Sequence, residues 1–519
     1  MIGHVLKALA LNEVRLRMRR VSTIVALLAV VAISWAMISD PAGGHALIVI
    51  GKARVLYTSS ALALGSAALA SALFALGGFY LVRGRAAEDI RTGAGSVIGA
   101  TPVGNAVFLA GRWLGGVAYL GLLALALMGT ILVCHALRGD GPIQPLVYLS
   151  TYCLILLPVI FFAASCAILF DSWAPLMGKG GDLLFFLLWV GQMTLMGIVQ
   201  SFGATGSGWA VFDFTGLLTS MTTLAGHFDP AHTSLGGGIP FDAAIAPLLL
   251  PAVPWTMQVV WMRFGAGLLA ILPVAAAVLL FHRFSPDKVT ASRSRQRRSP
   301  LALLDGWLRP LSRIVQPLFA LAPRLPGWSG QVLADVALTL AASPSAIAAL
   351  IVAFGTSVLV DGRLLGPVLL ACVACWGILV SDMSTRDFQA GAEDMSGVVR
   401  GGSAGRYLRQ YAAAVALGAM FVGVIAVRFA MRDPLRGAAV VAGIVALGAI
   451  AHLLGRCSRT PRTFLALFLF ALSVAVNAAT VPIVDAVGFN GVANLRSVLT
   501  YLVIGMAALA GGYAWNRRG

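Results

Sequence analysis

Apolar residues along this chain gather in long runs separated by short polar stretches. Twelve runs approach the ~20 residues that a helix needs to cross a hydrocarbon core, where no backbone group can be left unpaired. The first six are approximately 21–39, 61–82, 107–134, 146–170, 182–200 and 257–281. The second six are 345–361, 364–382, 410–430, 436–455, 463–481 and 497–515. Run 345–361 is short and tied to 364–382 through Asp361-Gly362-Arg363, which reads as one hairpin with a tight turn. The pattern predicts an all-α polytopic membrane protein: about 12 transmembrane helices in two pseudo-repeated halves, with amphipathic helices at the interface. No A-x-A cleavage site closes the first run, so it is expected to stay as an anchor.

Composition agrees. Of 519 residues, 59% are apolar and only 11% charged, against ~45–50% and ~25% in soluble domains. A charge-poor surface of that size cannot stay in water, and high hydrophobicity excludes disorder. The net charge is +17, from 37 Lys and Arg against 20 Asp and Glu. Nucleic-acid binding needs such charge on one accessible face. Here the charges punctuate apolar runs, so no nucleic-acid partner is expected. With both termini placed in the cytoplasm, the inside segments collect 27 Lys and Arg and the outside segments seven, as the positive-inside rule requires. Ser201–Met262 contains no Lys or Arg but carries Asp213, Asp229 and Asp242, which places it outside. Within it, the apolar run Ala243–Val253 is expected to re-enter the membrane. Arg112, Arg263 and Arg496 sit near run ends, where their heads can snorkel to the surface.

Three regions follow: a first half, 1–283, a basic Ser- and Pro-rich linker, 284–329, and a second half, 330–519. In the linker, prolines 310, 317, 323 and 326 forbid one continuous helix. Residues 301–328 alternate apolar stretches with Arg and are expected on the membrane surface, Arg heads in the phosphate layer. Two weak repeats span the linker. His4–Leu11, part of an amphipathic entry helix, resembles Gln331–Leu338, and each precedes an apolar run. After the second run of each half, Asp89, Gly93 and Ala94 match Asp387, Gly391 and Ala392.

The chain holds six cysteines without a disulfide framework. Cys372 and Cys375, inside LLACVACWGIL, read as two small residues on a helix face. None of the four lysines stands in a G-x-x-x-x-G-K-[ST] phosphate loop, and no H-E-x-x-H or G-x-S-x-G occurs. If nucleotide powers the protein, another chain binds it. His227, Asp229 and His232 offer imidazole and carboxylate suited to zinc or copper, but the pattern favours a polar Gly- and Pro-rich loop in which Asp and His cap turns, so no metal is expected. No acidic residue lies at the centre of a run, which counts against an ion-driven carrier. The loop 83–106 carries Glu88, Asp89 and Arg91 on a potential short helix, Gly93, and a restart at Thr101-Pro102. Next comes the G-x-x-x-G of Gly111 and Gly115, which permits close helix packing in lipid.

An amphipathic entry helix, two spans, then an acidic residue, Gly, a Thr-Pro pair and a Gly-basic pair resemble the type-2 ABC transporter permeases. The matching positions are Asp89, Gly93, Thr101, Pro102, Gly111 and Arg112; the second half offers Asp387, Gly391, Glu393, Asp394 and Tyr407 without a Thr-Pro pair. The resemblance implies six spans per half and a coupling helix at 86–106, with a second at 384–408. It also implies an exporter of the bacterial inner membrane, driven by ABC ATPase subunits in two copies. No cofactor is expected in this chain; ATP and magnesium would sit on those partners. Two other readings remain open: a twelve-span ion-driven carrier, and a membrane enzyme or metal-site assembly factor built on His227, Asp229 and His232.

Overall fold

The computed structural model describes residues 2–518 apart from 202–207, 229–231, 253–254, 283–299, 394, 396–400 and 478–480. Asp229, Asp394 and residues 284–299 of the basic linker therefore lie outside the described residues. The chain divides into two compact units, Met1–Gln296 and Arg297–Gly519. It is overwhelmingly helical, as its apolar runs require of a backbone without water to bond to. Among the described residues eight helices are long and apolar enough to cross a membrane, or up to ten if each of two bent pairs is one span. The chain is thus a membrane-embedded helical protein.

In the first unit, α1 (Ile2–Met18) meets α2 (Val21–Met37) at a sharp bend. Then follow α3 (Ser59–Val82), the short α4 (Arg85–Thr92) and α5 (Ala94–Ala100), α6 (Asn105–Arg138), α7 (Pro145–Ser172) and α8 (Lys179–Ser201). After α8 come α9 (Leu217–Ala225), α10 (Met257–Leu269) and α11 (Leu272–Leu280). At ~1.5 Å per residue the 34-residue α6 is about 51 Å long, well beyond a hydrocarbon core of about 30 Å. Its surplus length carries the arginines described below.

The second unit is helical as well. After α12 (Pro300–Trp307) and α13 (Gln316–Leu321), α14 (Gly327–Ala342) bends by 102° into α15 (Pro344–Leu359). Then come α16 (Leu365–Val380), the short α17 (Arg386–Ala390), α18 (Gly402–Ala430), α19 (Pro434–Ser458), α20 (Pro461–Asn477) and α21 (Leu495–Arg518). The expected tight hairpin between 345–361 and 364–382 is present as α15, a short turn at Gly362–Leu364, and α16.

The all-α class stands, and three details differ from expectation. First, β1 (His45–Ile50), β2 (Ala53–Arg54) and β3 (Thr233–Pro240) form a small antiparallel sheet in the order β2-β1-β3. HALIVI is a short β-branched run inside a polar loop, too short for a span, and its partner lies nearly 190 residues away, where no local pattern can announce it. Secondly, the described part of the run expected to re-enter the membrane, 243–252, forms no helix. Its Leu248 exchanges backbone bonds with Arg54 and Leu56 at 2.8 Å each, beside the sheet. The packed helical insertion is instead Gly208–Phe212 and α9, which bury Leu218, Thr219, Ser220 and Leu224. Thirdly, Arg263 does not snorkel but lies fully inside the protein, 1% exposed.

Candidate functional site

Short helix α4 is fixed from every side by charge. Its N-terminal N–H groups would be orphaned after α3 ends. Asp171, in the last turn of α7, accepts from Gly84 at 2.8 Å and Arg85 at 2.9 Å, capping the helix from a neighbouring element. The other end stops at Gly93, whose left-handed φ of 75° suits a residue without Cβ. Asp89 points inward, 2% exposed, into an ion pair with Arg112 of α6, and lies 3.6 Å from Arg85. Glu88 is shared by Arg20 and Arg85, the latter at 2.8 Å. Arg85 also reaches Glu13 of α1 at 3.5 Å, and Glu13 holds Arg17 at 2.6 Å. Arg17 in turn donates to the carbonyls of Leu81 and Val82 at 2.8 and 3.0 Å, closing the C-terminus of α3. A second node adjoins it. Arg83 is wholly buried, packed over Phe79 and Phe170, and pairs with Asp182 at the start of α8, with Asp171 at 3.8 Å.

The Gly111/Gly115 motif explains how α1 comes so close. A Cβ on Gly111 would stand 2.6 Å from the Cβ of Leu9, and one on Gly115 would stand 2.6 Å from the Cβ of Glu13. These glycines are the seat of the entry helix on α6, and they let Glu13 reach the charged node. Beneath α4 and α5 lies an apolar floor of Ala86, Phe108, Leu109, Ile168, Ala277 and Phe281. Thr101 ends α5 in an extended conformation, as a residue before proline prefers. What remains outside is a rim on α4 and α5: Ile90 (40% exposed) and Val97 (69% exposed), with Arg91, Thr92, Gly93 and Ser96 also exposed.

The second unit places its matching residues in a similar arrangement. Short helix α17 ends at Gly391, again left-handed with φ 67°. Asp387 lies 3.4 Å from Arg406 in the first turns of α18. Glu393 lies 3.8 Å from Arg406 and 2.6 Å from Arg456 of α19. Arg409 pairs with Asp335 of α14 at 2.7 Å, which bonds α14 to the helix that follows the short one. Tyr407 is buried against Gly512 of α21.

A third charged group sits deeper. Pro158 inside α7 has no N–H to offer the carbonyl of Leu154. Arg263 of α10 donates to that carbonyl at 3.0 Å and to the carbonyl of Ile155 at 3.2 Å. Its remaining guanidinium nitrogen bonds the backbone of Asp213, whose carboxylate accepts from Thr215, Gly216 and Thr219 and so caps α9. In the second unit Arg436 plays a comparable part. It donates to Gly488 and Phe489 at 2.7 and 2.8 Å, in a loop that Asp485 braces by accepting from Phe489 and Asn490.

Sequence reasoning picked Glu88, Asp89, Arg91, Gly93, Thr101 and Pro102 as one surface. The structure divides them: Asp89 faces the interior, Glu88 is engaged by two arginines, and Arg91, Gly93 and Pro102 are exposed. It missed Glu13, Arg17, Arg83, Arg85, Asp171 and Asp182, the charges that hold the helix. Their signal was present, because a charge at the edge of an apolar run must find a partner. His227 bonds the Thr223 carbonyl of its own helix at 3.0 Å. Among the described residues no group of three His, Cys, Asp or Glu side chains converges on a metal position. Compared with protein-family models, curated proteins and solved structures, the chain gives no match.

Proposed function

We propose that the chain is the transmembrane permease subunit of an ATP-driven ABC transporter, an exporter of the bacterial inner membrane with both termini cytoplasmic. On this reading its two units are duplicated six-span halves. The observation that carries it is the clamped short helix. In each unit a short helix follows the second apolar helix, ends at a left-handed glycine, and is bonded through its carboxylate to an arginine at the foot of the next long helix. A helix tied by ion pairs to α1 and α6 and capped by Asp171 of α7 cannot shift alone. A push on its rim would move the feet of several spans together, which is what a coupling element must do. The exposed Ile90 and Val97 offer that rim an apolar contact for an ATPase subunit, while Asp89 acts as a positioning residue behind it. The deep charges support the same reading. Asp213 and Arg263 spend their hydrogen bonds on the protein itself, so they serve packing rather than ligation of a coupling ion.

The test is Val97→Asp with Ile90→Asp, made in full-length protein purified from native membranes. Both residues are exposed, so the melting temperature is expected to stay unchanged. An ATP-hydrolysing partner that co-purifies with the parent chain is expected to be lost. Failure to recover any ATPase with the parent chain, together with cargo movement that an uncoupler abolishes, overturns the proposal and favours an ion-driven carrier.

A further inference from the structure

The described part of the second unit opens with a segment that the permease reading leaves unused. Pro300–Arg324 folds as α12, a tight 3-10 stretch Arg309–Val315, α13 and a last turn Ala322–Arg324. One side of it is held. Val315 and Ala322 are buried. The carbonyls of Ala322 and Leu325 approach Gly330 of α14 so closely that a Cβ there would stand 2.4 and 2.9 Å from them. Asp305 accepts the Ser345 N–H at 2.9 Å, in the first turn of α15.

The other side is open and of mixed chemistry. Leu303, Leu304, Trp307, Ile314, Phe319 and Leu321 are exposed, Trp307 by 80%. Arg309, Arg313 and Arg324 are exposed between them, and none of the three joins an ion pair among the described residues. The depth of the segment follows from its anchor. α14 and α15 meet at 102°, and α15 is predominantly apolar and carries no charged residue. A bend of that size lays one helix along a membrane surface when the other enters it. Asp305 fixes α12 at the entry point of α15, which is the boundary between headgroups and hydrocarbon. Exposed Trp and Leu among unpaired arginines suit that boundary, because the rings and stems bury apolar area while the guanidinium groups meet phosphate.

We propose that Pro300–Arg324 is a binding surface for anionic phospholipid. Trp307, Leu303 and Phe319 enter the acyl boundary, and Arg309, Arg313 and Arg324 take the headgroup phosphates, which a guanidinium fork binds through two parallel N–H donors. The surface requires only that the chain is membrane-embedded, whatever drives it.

The experiment uses the full chain in nanodiscs of phosphatidylcholine with increasing phosphatidylglycerol, read by hydrogen–deuterium exchange of peptides from 300–328. Protection is expected to rise with phosphatidylglycerol, while α18 and α19 stay unchanged. R313Q should raise the phosphatidylglycerol fraction needed for half-protection by up to roughly fivefold, the worth of one cation at an anionic surface. R309Q/R313Q/R324Q should abolish the response, and R309K/R313K/R324K should keep most of it, which separates lost charge from lost folding. Equal protection in pure phosphatidylcholine, or an undiminished response in the glutamine triple variant, overturns the proposal. So does a response lost equally in the lysine variant, since that would mark a packing role.

Discussion

The two units hold the same kind of charged clamp under different dielectric conditions. In the first, Asp89 and Arg112 have side chains only 3% and 8% exposed, and Glu13 and Arg17 both stand at 5%. In the second, Asp387 and Glu393 keep 27% and 28% of their side chains open. Charges taken out of water depend wholly on their partners, whereas half-exposed ones fall back on solvent. The first unit has therefore committed its short helix to one position, and the second has left room for adjustment. The segments that precede the last long helices of the two units differ in parallel. One is long enough to build α9 and supply β3, and the other is a short loop bonded around Arg436. If both units receive force from identical motors, the first should transmit it stiffly and the second with more play.

The comparison breaks most visibly at the deep arginines. Arg263→Met leaves the Leu154 carbonyl, which Pro158 cannot serve, without a donor and the buried Asp213 without its cation. A loss of about 3–5 kcal/mol is expected, the usual result of removing one partner of a buried pair. Arg436→Met, at a half-buried position, should cost clearly less. Thermal unfolding of the two purified variants in one detergent ranks them. Equal losses would mean that burial does not separate the units.

Next come the clamps themselves. Asp89→Asn strands Arg112 in the interior and is expected to cost about 3 kcal/mol. Asp387→Asn should cost under about 1 kcal/mol, as exposed pairs do. Limited proteolysis at 85–104 and at 386–395 reads each helix locally. Faster cleavage in the first variant alone supports the contrast, and matched rates remove it.

The glycines give a third contrast. Gly115→Val drives a side chain into Glu13 and the Ala10 carbonyl, 3.0 Å from where its Cβ would sit. Overpacking of this kind costs roughly 1–3 kcal/mol and should loosen α1, seen as faster amide exchange over Ile2–Met18. Gly405 begins α18 with open space around it. Gly405→Ala should be neutral or stabilising by up to about 1 kcal/mol, because alanine favours helix.

Much of this architecture was legible in the chain. Apolar runs announce helices because lipid leaves the backbone no alternative, and the left-handed glycines at 93 and 391 fall at matched positions of the weak repeat, Asp89, Gly93 and Ala94 against Asp387, Gly391 and Ala392. Asp89 shows the limit. Its position beside a coupling-like loop was readable, but its direction was not, since that depends on Arg112, a residue 23 positions away on another helix. Arg263 shows another. A cation near the end of an apolar run reads as a snorkelling group until Pro158, on a different helix, is seen to free the carbonyl that claims it. The sheet needed a pairing between residues 45–50 and 233–240, and sequence periodicity carries no information over such a distance.

The finest difference between those two segments is one of protonation. Burial raises the Asp485 carboxyl above its ordinary value, and the N–H groups of Phe489, Asn490 and Val492 with nearby Arg436 only partly offset it. A carboxyl whose folded-state value is raised binds its proton more tightly in the native protein than in the unfolded chain. Its favourable contribution is complete below the unfolded value near 3.8 and is lost as pH rises through the folded one. The second unit should therefore lose a little stability as pH rises above the unfolded value. Asp485→Asn carries no titrating proton and should flatten that slope while keeping an oxygen to accept from the same N–H groups. Melting curves of both proteins across this range decide the matter. Parallel curves would show that the loop is braced by geometry alone, and that the proton on Asp485 has no part in holding Arg436 against it.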